Sequence, residues 1–194
     1  MRRFSFRPAL ELRGREFKGL RGFAGKPLHP PLTDVTVGAY AIAPILDIAS
    51  FVFKDSSWAE IAHVAAGYVF LVGAISSLAT VLTGFMDWLN TEKGTQIRRM
   101  ANAHAWTMIT MTVFVLINLW YRNFAEGGEY YAEPDAIGTL LSVAVLGLVT
   151  IGGTIGGSLT YDWGFNVETA TDSAVWHPSE TDTIHPHDAP EEDQ

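Results

Sequence analysis

Lys26-Pro27-Leu28-His29-Pro30-Pro31-Leu32-Thr33-Asp34 runs straight into Val35–Phe53, nineteen residues whose single charged side chain is Asp47. Prolines fit the first turn of a helix, where the backbone N–H groups have no partner in any case. Nineteen residues at 1.5 Å each then reach ~28 Å, close to the hydrocarbon thickness of a bilayer. The stretch therefore reads as the place where the chain leaves water and enters lipid, with His29 and Asp34 at the boundary. Three further apolar runs follow, at about Ile61–Met86, Ala103–Tyr121 and Ala136–Tyr161. The fold class expected is all-α, a four-helix transmembrane bundle, because a membrane barrel would need short alternating segments and none occur.

Averages conceal this organisation. Mean hydropathy is only +0.15 and 18% of the residues are charged, but the charges sit in the ends and connections. Residues 1–28 form a basic arm carrying Arg2, Arg3, Arg7, Arg13, Arg15, Lys18, Arg21 and Lys26 against Glu11 and Glu16, with phenylalanines and leucines interleaved. Such an arm suits an anionic bilayer surface or a partner subunit. Nucleic acid is excluded as a partner, because the whole chain carries a net charge of −8 and the arm adjoins a span. Arg2-Arg3-Phe4 is not read as an export signal, since no apolar stretch follows within reach. Residues 29–167 make up the membrane domain. Residues 168–194 form an acidic polar tail without Lys or Arg, broken by Pro178, Pro186 and Pro190; its His185-Pro186-His187-Asp188 is read as solvated rather than metal-binding. Arm and tail together are the expected docking elements for other membrane subunits.

Orientation follows from the short flanks. The arm and the 87–102 connection, with Lys93, Arg98 and Arg99, are rich in positive charge, while the 54–60 and 122–135 connections hold one each, Lys54 and Arg122. Both termini are therefore expected in the cytoplasm. Trp58, Trp120, Tyr121, Tyr130 and Tyr131 would form an outer aromatic belt, and Trp88, Trp106, Tyr161 and Trp163 an inner one. Small residues in the second span (Ala66, Gly73, Ser77, Thr80, Gly84) and in Gly152–Gly157 of the fourth predict close helix contacts. Pro44 predicts a bend in the first.

Ionisable groups in lipid are costly enough to need a reason. At the inner end the topology gathers His29, Asp34, Asp87, His104, Tyr161 and Asp162. With no cysteine in the chain, a metal or haem would have to use His, Asp, Glu or Met. Three arrangements fit. In the first, a polar plug, Asp34 serves the first helix N-terminus and Asp87 meets His104 or Arg98. In the second, a b-type haem lies between His29 and His104, in the manner of four-helix bundles that hold cofactors between facing helices. In the third, His29, His104, Asp34 and Asp87 form a two-histidine, two-carboxylate metal site. Met108, Met111 and Asn118 continue the His104 face, a stripe read first as core. At the outer end Asp47 is expected to pair with His63, Asn118 or Arg122 as a structural polar group. His63 and Asp87 share one helix and are ~36 Å apart by rise, so they belong to different sites.

Taken in order, these features form a pattern: Pro27-Leu28-His29-Pro30; Asp47; Ala65-Ala66-Gly67; Gly84-Phe85-Met86-Asp87-Trp88; His104; Arg122; Gly156-Gly157-Ser158-Leu159-Thr160-Tyr161 and Gly164-Phe165-Asn166-Val167. Over about residues 26–168 the pattern resembles a bacterial family of four-span integral membrane proteins of unknown function. Some members of that family are linked to Rieske-type iron–sulfur or molybdopterin redox domains. The resemblance thus implies the bacterial inner membrane and a subunit or redox anchor of an electron-transfer assembly. The alternative is an accessory subunit with no cofactor of its own. This chain departs from the family at Asp162-Trp163, where a basic, often histidine-containing pair is usual. No nucleophile with a nearby base and no phosphate-cradling loop is present, which disfavours an enzyme.

Overall fold

A computed structural model describes Leu12, residues 14–124 and residues 133–167. The start of the arm, the acidic tail and most of the connection after Arg122, including Glu126, Glu129, Tyr130 and Tyr131, lie outside the described residues. Four helices make up the fold: α1 (His29–Val52), α2 (Ala59–Leu89), α3 (Gln96–Phe124) and α4 (Ala136–Tyr161). All four are long and apolar enough to cross a membrane. Among the described residues there is no strand, only isolated bridges joining Phe17 to Phe23 and Phe23 to Lys26.

The first three helices are longer than the apolar runs, and the fourth coincides with its run. α1 begins at His29, six residues before the first apolar run, with prolines in its first turn where their missing N–H costs nothing. It continues unbroken through Pro44. α3 begins at Gln96, so polar residues of the connection are helical too. The start of α4 is fixed by Asp135, whose carboxylate accepts from the N–H groups of Ile137 (2.8 Å) and Gly138 (3.0 Å).

α1 packs chiefly on α2 and α3 on α4; α1 also meets α4, and the α2–α3 seam is the loosest of the four. α1 and α3 therefore face each other across the diagonal. Some of the glycines expected at contacts are there, each against the neighbouring helix: Gly73 of α2 faces the ring of Tyr40, and Gly152 of α4 faces Met108, whereas Gly153 has nothing within 4 Å. Between them lies a core of Tyr40, Ala43, Ala66, Phe70, Met111, Val115, Val145 and Val149. Part of the basic arm belongs to the bundle. A 3₁₀ turn at Gly19–Arg21 rests on the end of α2, and Gly22 takes φ +81 where a side chain would strike Lys26 and Leu28.

The two hairpins repeat each other. Asp47 follows His29 by eighteen residues, and Arg122 follows His104 by eighteen. Eighteen residues is five turns at 3.6 per turn, so each pair lies on one face, ~27 Å apart along its helix. At the intermediate steps Thr36, Tyr40 and Ala43 of α1 match Met111, Val115 and Asn118 of α3, all buried.

A Cβ at position 73 would lie 2.6 Å from the Tyr40 ring, which is fully buried and has nowhere to go. Gly73→Ala should lower stability by about 1–3 kcal/mol, the usual cost of overpacking. Gly153→Ala, where nothing stands within 4 Å, should not. Thermal unfolding in detergent micelles distinguishes the two.

Candidate functional site

The repeat places two diagonal pairs on the bundle axis. At one end His29 meets His104, their ring centroids 6.4 Å apart and their planes at 83°. Each imidazole is held from behind in the same way. His29 Nδ1 lies 3.0 Å from the carbonyl of Thr80 on α2, and His104 Nδ1 lies 2.9 Å from the carbonyl of Gly152 on α4. A carbonyl only accepts, so both Nδ1 atoms carry the hydrogen and both Nε2 atoms keep a lone pair.

Each of those carbonyls has a glycine four residues later, Gly84 and Gly156. Helical side chains tilt toward the N-terminus and cover the turn before them, so a glycine there uncovers the carbonyl for a neighbouring helix. A Cβ at Gly84 would come within 2.6 Å of His29 Cε1, and one at Gly156 within 3.0 Å of His104 Cε1. The glycines are the seats of the imidazoles. In the sequence both stand out as small residues at helix contacts. The signal that would have tied them to the histidines is the carbonyl-plus-four spacing, repeated in α2 and α4.

The carboxylates expected beside this pair do otherwise. Asp87 accepts from Arg21 Nε at 3.0 Å and from Asn166 Nδ2 at 3.3 Å, rather than meeting His104 or Arg98. The reason is the arm, which folds back and puts a guanidinium beside it. Arg98 instead stacks on Trp88, 3.7 Å from the ring centroid, and donates to the Trp88 carbonyl. Asp34 is exposed. It follows His29 by five residues, or about 500° of helix rotation, which turns it well away from the imidazole, and it lies beyond the first turn of α1. The two-histidine, two-carboxylate site therefore does not assemble. Among the described residues no three His, Asp or Glu side chains are grouped to hold a metal ion.

At the other end lies a polar cluster. Arg122, buried to 1% exposure, donates from Nη2 to Asp47 Oδ2, from Nε to Asn118 Oδ1 (2.6 Å), and from Nη1 to the His63 carbonyl (3.1 Å) and ring Nε2 (3.2 Å). Ser142 of α4 also donates to Asp47 Oδ2 at 2.5 Å, and Asn118 Nδ2 reaches Ser142 and the Gly138 carbonyl. All four helices contribute. The structure thus brings together Asp47, His63, Asn118 and Arg122, the residues singled out from the sequence for this end, and adds Ser142. His63 Nδ1 stands 3.2 Å from Asp47 Oδ1 but off the line of a hydrogen bond, and Oδ1 is buried without one.

Removing one partner of a buried ion pair leaves the other uncompensated, at a cost of about 3–5 kcal/mol. Arg122→Leu should therefore destabilise strongly. The double variant Asp47→Leu/Arg122→Leu should recover much of that loss, a non-additivity that a double-mutant cycle of thermal unfolding measures directly.

Comparison with known proteins adds one result. A family model described as Predicted membrane protein (DUF2231) matches residues 25–169, most of the chain and all four helices. No curated protein and no solved structure matches.

Proposed function

We propose, from the premise that this chain belongs to the membrane-protein family DUF2231, that it is a membrane electron carrier holding a b-type haem between His29 and His104. The observation that carries the reading is the facing pair of imidazoles, each with its Nδ1–H tied to a backbone carbonyl. That second bond is how histidine ligands are oriented and made more basic. The spacing agrees with it. With ~2 Å per metal–nitrogen bond and ~1 Å from nitrogen to ring centre, two imidazoles sharing one metal ion would have centroids ~6 Å apart, against 6.4 Å here.

The donor set argues for haem over a bare ion. A protein-held metal needs three or four side chains, and among the described residues only two imidazoles converge. A porphyrin brings four nitrogens of its own and would need only His29 and His104 from the protein. When bound, the haem supplies a one-electron couple. The chain's own task is to fix both rings, keep both nitrogens deprotonated, and close the end of the bundle. Arg21, held on Asp87, and Arg98, on Trp88, put positive charge at this end.

By the distribution of Lys and Arg this end faces the cytoplasm, so electrons would be exchanged with a redox subunit there, the bundle acting as its anchor in the bacterial inner membrane. The chain is on this reading a carrier rather than a catalyst.

Protein purified in mild detergent should show a Soret band whose reduced spectrum is that of a bis-imidazole haem. His104→Ala and His29→Ala should each abolish it while four-helix circular dichroism is retained. A folded protein that stays colourless after haem is supplied during expression overturns the proposal.

A further inference from the structure

The loosest seam of the bundle, between α2 and α3, holds a cavity of about 220 Å³ lined by Gly67, Tyr68, Leu71, Leu119, Arg122 and Asn123. It lies within the spanning segments, and its rim residues Tyr68 and Leu71 are exposed on the outside of the bundle. Between these two side chains the cavity opens on the lipid-facing side of the bundle. At the back is Arg122, otherwise fully buried.

Three features define the occupant. Drug-sized ligands need roughly 300–1,000 Å³, so this space takes a single ring and leaves any tail in lipid. The walls contributed by Gly67, Leu71 and Leu119 are apolar, which suits a flat ring. The charge of Arg122 is already balanced by Asp47, so an anion gains little there. Arg122 still has one hydrogen to give: of its five N–H groups, Nε is taken by Asn118, Nη1 by the carbonyl and ring of His63, and one Nη2 hydrogen by Asp47. A neutral carbonyl oxygen is the acceptor such a donor selects, and buried donors discriminate strongly in favour of the group that satisfies them.

We infer that this cavity is a binding site for the head ring of a lipid-soluble quinone, its carbonyl oxygen on Arg122 and its isoprenoid tail in the bilayer between α2 and α3. The site is ~27 Å along the helices from the histidine pair. It does not depend on haem being bound there.

The test uses the full chain in lipid nanodiscs, with decylubiquinone as the probe and quenching of tryptophan fluorescence as the readout. Binding should saturate at about one per chain. Leu71→Trp, which fills the cavity from its exposed rim, and Asn123→Leu should each weaken it by at least about tenfold, or ~1.4 kcal/mol, without lowering the thermal midpoint. Excess oleate should not compete. Quenching that never saturates, that is unchanged in both variants, or that oleate displaces as well as quinone does, overturns the assignment, the last identifying the cavity as an acyl-chain groove only.

Discussion

A guanidinium buried within a spanning helix must be surrounded by acceptors or the helix that carries it will not stay in lipid. Arg122 is surrounded by all four helices: Asp47 from α1, His63 from α2, Asn118 from its own helix, and through Asn118 and Asp47 the Ser142 hydroxyl of α4. Because apolar side chains gain nothing by leaving lipid for one another, helix association in a bilayer relies on close packing and on such polar contacts. Arg122 fixes depth, rotation and neighbour for every helix at its end of the bundle. The carbonyls that receive His29 and His104 do the same at the other end for α1 on α2 and for α3 on α4.

The eighteen-residue interval makes these two ends one device. A helix is straight enough over five turns that residues eighteen apart share a face, so a rotation that buries Asp47 also aims His29 at the axis, and the rotation that buries Arg122 aims His104. The ion pair thus sets the orientation of the imidazoles at a distance. Helices α2 and α4 supply the matching half, each a carbonyl followed four residues later by a glycine.

How much of this could be read from the sequence follows from which forces act locally. Hydrophobic length is a property of each segment alone, so four helices and their approximate limits were legible, and the cost of charge in lipid picked out His29, His104, Asp47, His63, Asn118 and Arg122. The ends of the first three helices were not, because an apolar count stops at the first polar residue while a helix does not: Gln96 to Asn102 are helical although they lie outside the hydrophobic run. The fate of Asp87 was not legible either. Its partner Arg21 is sixty-six residues away in an arm with no periodicity, and only the folded chain shows that the arm turns back. Asp34 illustrates the opposite error: it is close to His29 along the chain, but five residues turn a side chain to the far side of a helix.

The two diagonal pairs, equivalent in position, are opposite in chemistry. Asp47 and Arg122 are complementary, one accepting what the other donates, and with His63, Asn118 and Ser142 the pair nearly closes on itself. Two identical imidazoles cannot do that. With each Nδ1–H already given to a carbonyl, what remains on both is a lone pair, and two acceptors do not bond to each other. Among the described contacts neither Nε2 has a hydrogen-bond partner. The bundle uses two glycines and two helix carbonyls to hold these rings with centroids 6.4 Å apart and planes at 83°, where leucines would satisfy packing alone. A proton shared by the pair would join the rings, but a single proton needs no exposed carbonyls to fix both tautomers in advance. An electrophile that accepts two lone pairs at once would, which is the ground for the proposal that a haem lies between them.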